Sequence, residues 1–158
     1  MNKSREQKTD AGKPEWLMAE AEHYCSAQGT QLTSLRRLVL ETLIKARGPV
    51  KAYDLLEVLR ELGHRLTPST VYRILDFFLR GGLVHKVNAL NAYVACRCEP
   101  QAHRHGPVIL VCPDCRTTTE INDRHLNESI FERLGVLGFK IKTVSVEVRG
   151  VCPKCAKV

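Results

Sequence analysis

Two matched cysteine pairs carry the clearest chemistry in this 158-residue sequence. Both have the form Cys-Pro-x-Cys: Cys112 with Cys115, and Cys152 with Cys155. Such a pair can bind one metal ion from a tight turn, and two pairs complete the closed tetrahedral thiolate site that is usual for structural zinc. A thioredoxin-like redox centre would need a single pair in a βαβ unit. We therefore predict a zinc site that holds the C-terminal half of the chain together.

A second, looser group of candidate metal ligands lies near the middle of the chain. It comprises His85, Cys96, His103, His105 and Glu120. Taken singly, each has an ordinary alternative, because such residues are also found as structural histidines, buried cysteines and surface carboxylates. Taken together, nitrogen, sulfur and oxygen ligands at a junction between two domains would bind a metal ion that sets the angle between them. Spacing alone leaves both interpretations open.

A third candidate site is the polar face of the fourth predicted helix. Thr67 caps this helix, Pro68 occupies its first turn and two glycines end it. Tyr72 and Arg73 are predicted to project away from the core, and an arginine can donate two hydrogen bonds to guanine in the major groove of DNA. The alternative is an ordinary solvated face. The predicted apolar face consists of Val71, Ile74, Leu75, Phe78 and Leu79.

Other side chains in the same region are further candidates for DNA contact. Tyr53 begins the third predicted helix. The formal net charge of the chain is +7, and residues 33–86 contain ten basic and five acidic residues, a net of +5. The basic excess therefore lies mainly in this region. Phosphate contacts, which position a protein without reading sequence, are predicted for Arg36, Arg37, Lys51 and Arg65.

The elements that position these residues are mainly helical in the first half. Apolar spacing predicts helices over 14–28, from a Thr33 cap to 48–49, from 52 to 63, and from 67 to 81–82. Strand-like segments at 83–87 and 92–95 follow, with a turn between them. Helices followed by a hairpin predict a winged helix-turn-helix, in which one helix enters the major groove.

The second half has a different pattern, which predicts a small α+β unit. Strands are expected at 107–111, 117–121 and 139–148, with a helix at 123–134. The polar segment 97–106 is predicted to link the two halves. Both cysteine pairs follow predicted strands, so a bound metal would tie the last strand to the first.

Two general features bound the classes of protein that this sequence fits. No signal peptide or transmembrane segment is visible, so we expect a cytoplasmic protein whose cysteines are metal ligands rather than disulfides. A zinc deaminase would need His-x-Glu followed by Pro-Cys-x-x-Cys, and neither occurs, so we do not predict an enzyme. A zinc-ribbon adaptor would explain the cysteine pairs but leave the winged-helix half without a role.

The order of several short motifs resembles a known family. The motifs are Leu32-Thr-Ser-Leu-Arg36, Ala52-Tyr-Asp-Leu-Leu56, Thr70-Val-Tyr-Arg-Ile-Leu75 and Val84-His85-Lys86, followed by the cysteine pairs. Over residues 16–155 they resemble the ferric uptake regulator family and, within it, the zinc uptake regulators. The resemblance implies a homodimer with a polar tail (1–15), a winged-helix DNA-binding domain (16–96), a hinge (97–106) and a zinc-stapled dimerisation domain (107–158).

The same resemblance implies roles for individual residues. Tyr53 and Arg73 would contact DNA bases, and Glu57 and Arg60 would link neighbouring dimers on DNA. Cys112, Cys115, Cys152 and Cys155 would hold the structural zinc. The regulatory metal would be bound by His85, Cys96, His105 and Glu120.

The chain also departs from the family pattern. Ser34-Leu35 replaces a frequent Pro-Gln in the DNA-facing turn, and Arg104 separates His103 from His105. Either histidine is therefore a candidate ligand. Cys98 is an alternative thiolate to Cys96 or a free thiol. His125 could join His103 in a third site.

A soft thiolate at Cys96 favours zinc over iron or manganese in a mixed site. We therefore predict a zinc-responsive transcriptional repressor, with iron as the alternative metal. It would carry about two zinc ions per chain, one structural and one regulatory. As a homodimer on a palindromic operator, alone or with a second dimer alongside, it would control zinc-uptake genes with zinc as corepressor.

Overall fold

The structure is a computed structural model that describes residues 15–46, 48–98, 107–121, 123–140 and 144–156. Most of the predicted N-terminal tail and most of the predicted hinge, including His103 and His105, lie outside these ranges. No helix in the described ranges is long and apolar enough to cross a membrane.

Four helices make up the first half: α1 (Glu15–Ala27), α2 (Ser34–Ala46), α3 (Ala52–Glu61) and α4 (Pro68–Arg80). The predicted caps are present, because Thr33 Oγ1 accepts a hydrogen bond from Arg36 N at 3.3 Å and Thr67 Oγ1 accepts one from Thr70 N at 3.4 Å. Gly63, just beyond α3, has a φ of +87°, which favours glycine. The predicted helix boundaries are therefore confirmed to within one or two residues.

The buried face of α4 differs from the prediction in two residues. Phe77, which the predicted apolar face does not include, is buried and contacts the Tyr24 ring with centroids 5.1 Å apart. Tyr72, predicted to project away from the core, is half-buried and packs against it. The core surrounds more of α4 than spacing alone indicates, because Tyr24 of α1 packs against Phe77. Arg73 and Asp76 remain exposed.

A hairpin, here called the wing, follows α4. Its strands are β1 (Val84–Val87) and β2 (Ala92–Ala95), antiparallel and joined through a short 3-10 helix at Asn88–Leu90. Asn91 completes the turn with a φ of +46°. Helices α3 and α4 with this wing form the predicted winged helix-turn-helix.

The described part of the second half contains a three-stranded sheet and one helix, α5 (Arg124–Gly135). The sheet has the order β4-β3-β5, with β3 (Val108–Val111) antiparallel to β4 (Thr118–Ile121) and parallel to β5 (Val146–Arg149). The predicted α+β class is thus confirmed. The prediction of a strand over 139–148 is wrong in its first part: Phe139 is not in a strand and is 74% exposed. Strand β5 pairs with all four residues of β3 and extends no further towards Phe139.

The wing packs between the two halves. Val84, Tyr93 and Ala95 belong to the helical core, whereas Val87 and Val94 form a second cluster with residues of β3. The β3 residues in that cluster are Ile109 and Val111. The junction between the halves is therefore an apolar contact of the wing with the sheet.

Candidate metal centres and nucleic-acid interface

The structure brings the two cysteine pairs together at one end of the sheet. Cys112 directly follows β3, and Cys152 comes three residues after β5. Because β3 and β5 are parallel neighbours, their carboxyl ends meet at the same edge. The Sγ atoms of Cys112, Cys115, Cys152 and Cys155 all lie within 4.8 Å of one another.

Hydrogen bonds within this group prepare it unevenly for ionisation. Backbone N–H groups of Cys115 and Cys152 lower the pKa of the Cys112 thiol. Hydrogen bonding with Thr117 lowers the pKa of Cys115 to about 6, while hydrogen bonding with Cys152 raises that of Cys155 to about 12. Four thiols this close suit a dication that displaces their protons, and the all-sulfur set fits zinc. Binding would release protons and depend on pH.

A second cluster lies at the junction between the halves. His85 comes from β1, Cys96 follows β2 and Glu120 comes from β4, and one ligand atom of each lies within 4.8 Å of the other two. Glu120 Oε1 is 3.0 Å from His85 Nε2 and 3.4 Å from Cys96 Sγ. His85 and Cys96 are buried, with exposed fractions of 8% and 0%. Ligand types from both halves therefore meet at one point, here called the junction cluster.

The imidazole in the junction cluster supports a bound cation. His85 Nε2 is buried and has no hydrogen-bond partner among the described residues. Its contact with Glu120 is an ion pair only while the imidazole is protonated. In the neutral tautomer that carries its proton on Nδ1, the Nε2 lone pair faces a carboxylate oxygen, which is repulsive unless a cation lies between them. The nitrogen, sulfur and oxygen set fits zinc, which takes such ligands in tetrahedral sites.

The charges in the junction cluster differ from those of isolated side chains. Burial opposes ionisation of Glu120, but His85 and the N–H of Arg97, which donates to Oε2 at 2.8 Å, lower its pKa to about 2. Hydrogen bonding with Cys98, then burial and the nearby Glu120 charge, raises the pKa of the Cys96 thiol. A metal ion would therefore meet an ionised carboxylate and displace the thiol proton. Sequence reasoning missed Arg97, because it contributes a backbone group.

The alternative ligands have different positions. Cys98 is half-buried beside the junction cluster, where it hydrogen-bonds with Cys96 and Glu120, but its thiol is not part of either group of candidate ligands found among the described residues. His125 is exposed near the start of α5, also outside both clusters. His103 and His105 fall outside the described ranges, so the choice between them stays a prediction.

Most of the predicted DNA contacts are exposed around α3 and α4. Tyr53, in the first turn of α3, is 61% exposed. Three basic side chains are also exposed: Lys51 just before α3, Arg65 just before α4, and Arg73 on α4. Arg65 lies in the turn that joins α3 to α4, whereas Lys51 and Tyr53 lie at the other end of α3.

Two of the predicted phosphate contacts have partners inside the protein. The Arg36 guanidinium lies 3.8 Å from the centroid of the Phe77 ring and donates to Thr30 Oγ1 and Gln31 O. Arg37 forms an ion pair with Glu22. Their contact with phosphate stays a prediction, and the internal contacts link α2 to the loop before it, to α4 and to α1.

The fold and the two clusters define a winged helix-turn-helix protein with candidate metal centres in and beside its second domain. Residues 27–149 match the family model of the ferric uptake regulators, and the chain belongs to this family.

Individual relatives give more detail. The zinc uptake regulation protein of Escherichia coli (strain K12) is 34% identical over 142 residues, which cover 90% of this chain and 82% of that protein. The crystal structure of holo XcZur is 39% identical, with a TM-score of 0.77 over 90% of this chain and 98% of the other. A zinc uptake regulator complexed with zinc and DNA is 33% identical, with a TM-score of 0.78 over 95% and 97% of the two chains.

Proposed function

We propose that this protein is a zinc-responsive transcriptional repressor that binds a palindromic operator as a homodimer, with zinc as its corepressor. The junction cluster carries the proposal, because its side chains come from both halves of the chain. Similarity to zinc uptake regulators, one of them complexed with zinc and DNA, supports zinc as the metal and DNA as the binding partner. Control of zinc-uptake genes in the cytoplasm would follow.

The two clusters support about two zinc ions per chain with different duties. The four-cysteine centre draws all its ligands from the second half and would hold the sheet together. The junction cluster, with His105 as a candidate fourth ligand, would respond to zinc. Its Cys96 thiolate favours zinc over iron, since iron and manganese prefer harder ligands.

Zinc at the junction would reduce the freedom of the DNA-binding half relative to the sheet. His85 and Cys96 lie at the base of the wing, and Glu120 lies on β4. A metal ion bound by all three would hold the two α4 helices of a dimer at one separation, as a palindrome requires. Zinc and DNA affinity would then be coupled by about 1–3 kcal/mol.

The exposed side chains of the helix-turn-helix would make the DNA contacts. Arg73 and Tyr53 would contact bases, while Lys51 and Arg65 would contact phosphates. Tyr72, half-buried against the core, would contribute less. Glu57 and Arg60, exposed one turn apart on α3, would link neighbouring dimers when two bind side by side.

An apolar surface on the second half supports dimerisation. Large hydrophobic side chains are exposed on α5 and just beyond it, and a second copy of the chain would cover them. They are Leu126, Leu134, Val136, Leu137 and Phe139.

A mobility-shift titration tests the proposal with DNA selected from a random library by the zinc-loaded protein. Wild-type protein should shift this DNA with zinc and release it when a chelator removes the junction metal. Cys96→Ser should stay a folded dimer and lose the zinc response, whereas Cys98→Ser should keep it. Binding by Cys96→Ser that still responds to zinc would refute the regulatory site. A response to ferrous iron and not to zinc would favour the alternative metal.

A further inference from the structure

Three residues lie side by side across the sheet of the second half. Ile109 on β3 is in register with Glu120 on β4 and with Glu147 on β5. Residues paired in this way point to the same face of a sheet. Ile109 belongs to the apolar cluster with Val87 and Val94, so this face is the one that meets the wing.

The two carboxylates of this row contact opposite ends of the wing. Glu120 meets His85, Cys96 and the N–H of Arg97 at the base of the hairpin. Glu147 meets the turn at the tip: Oε2 accepts from Asn88 N and Oε1 from Ala89 N, both at 2.8 Å. Since neighbouring strands are about 4.8 Å apart, the two attachment points are separated by roughly 10 Å.

We propose that Glu147 is a positioning residue, which latches the wing tip to β5 without metal and, with the junction cluster, sets the angle between the halves. The contact of Glu147 with the N–H groups of Asn88 and Ala89 is called the wing latch. The inference rests on the proposed function, because the angle matters through DNA binding.

The reason for two attachments is geometric. A metal centre at the base of the wing leaves the helical half free to pivot about that point. A second attachment on the other side of the Ile109 contact removes this pivot. Charge-assisted hydrogen bonds are stronger than neutral ones, and Glu147 makes two of them with backbone groups that water would otherwise solvate. The latch therefore acts in the zinc-free protein as well.

Two variants remove the wing latch from opposite sides. Glu147→Gln keeps the side-chain shape but replaces one acceptor oxygen with an amide donor. Asn88→Pro removes one of the two N–H groups and leaves Glu147 intact. Proline is compatible there because it opens a short helix and because Val87 before it is extended, with φ −99° and ψ 98°. Glu41→Gln is the control for the charge change, since its pair with Lys45 is exposed on α2.

The direct measurement is amide hydrogen exchange at Asn88 and Ala89 in the full-length dimer. Both amides should be protected in the wild type with and without junction zinc, and Ala89 should lose protection in Glu147→Gln but keep most of it in Asn88→Pro, where Glu147 Oε1 still accepts from it. Asn88 should lose it in Glu147→Gln. Unchanged exchange in Glu147→Gln would overturn the latch, and protection in the wild type that appears only with zinc would overturn its independence from metal.

The second measurement is the affinity of zinc-saturated protein for the selected DNA. Each variant should bind about tenfold more weakly than Glu41→Gln, corresponding to the loss of one charge-assisted hydrogen bond. Dimer size and structural zinc content should not change. The double variant should lose less than the product of the single effects, since both changes break one contact. Affinities equal to the control would overturn the positioning role.

The two proposals fail in different ways. If zinc-loaded wild type selects no DNA, the proposed function fails, while the exchange measurement still decides whether the latch exists. If wild type binds DNA with a zinc response and the variants match it, only the positioning role of Glu147 fails.

Discussion

The two halves of the chain differ in what they bury. In the helical half, four helices and the wing enclose a continuous core with Phe78 among its largest fully buried side chains. In the second half, the described residues that are buried lie on β3 or directly after it. They are Val108, Ile109, Val111 and Cys112. A hydrophobic core can stabilise the first half, whereas the few buried side chains of the second agree with the proposed zinc centre and homodimer, each of which would add stability there.

This difference bears on the duties of the two proposed metal centres. The four-cysteine centre would link the ends of β3 and β5, in the half that has fewer buried hydrophobic side chains. The junction cluster lies where two already formed surfaces meet, so its loss would change an angle rather than a fold. Breaking each half in turn tests the comparison.

The largest effect is expected from Cys112→Ser. Loss of one of four thiolates should unfold much of the second half and abolish the dimer, because zinc affinity there is folding free energy. Gel filtration, zinc content and amide exchange would report this, with protection retained in α2 to α4. Cys98→Ser, which removes a thiol outside both clusters, should leave the dimer intact. A stable dimer of Cys112→Ser would contradict a structural role for the centre.

Phe78→Ala should affect the helical half and spare the second half, the opposite of the result expected for Cys112→Ser. Truncating this buried side chain should destabilise the helical half by about 3–5 kcal/mol, through lost contacts and a cavity. Urea unfolding followed by the fluorescence of Trp16, the single tryptophan, reports on this half. Zinc should stay bound to the four cysteines. The exposed Leu62, changed to Ala, is the control. Loss of zinc from the four-cysteine centre in step with unfolding would show that the halves are not separable.

Arg73→Ala tests whether the exposed face of α4 contacts DNA bases. Loss of a base contact should relax preference at one operator position by about 1–3 kcal/mol. Lys51→Ala should weaken binding to all DNA sequences alike. It should also reduce the slope of log affinity against log salt concentration by about one. Binding of the Arg73 variant to a set of single-base operator changes distinguishes the two. Equal weakening on every sequence would make Arg73 a phosphate contact.

The smallest effect is expected at the cap of α4. Thr67→Ala should cost about 0.5–1 kcal/mol, because the Thr70 N–H loses the hydroxyl and keeps only the Thr67 carbonyl, 3.1 Å away, as its acceptor. Thermal or urea unfolding of the helical half measures it, and Thr67→Ser, which keeps the hydroxyl, should be nearly neutral. An equal loss in the serine variant would indicate that the methyl group, and not the cap, is responsible.

Local chemistry made much of the fold predictable from sequence. The ends of α3 and α4 depend on residues within a few positions, such as Thr67, Pro68 and Gly63. Features that depend on distant partners were harder. The length of β5 depends on pairing with β3, and the burial of Phe77 and Tyr72 depends on helices packed around α4. Nothing in the local pattern indicates that α1 supplies Tyr24 to Phe77.

The candidate site shows the same division. The four cysteines are recognisable because both pairs have fixed spacing. For the junction cluster, spacing alone did not decide between metal ligands and ordinary structural residues. The family resemblance supplied a definite ligand set. The inward contacts of Arg36 and the backbone contribution of Arg97 had no sequence signal, because a cation over a ring and a donated N–H both depend on tertiary packing. Glu147 was missed for the same reason.

The burial of the wing has a consequence for how the sequence can change over time. Alternate residues of β2 face different partners: Tyr93 belongs to the helical core and Val94 to the contact with Ile109. A substitution in this strand must therefore fit the packing of both domains. Among related proteins, Val94 and Ile109 should vary together in size, and insertions should accumulate outside the hairpin. The wing is therefore the part of the chain where substitutions in one half constrain substitutions in the other.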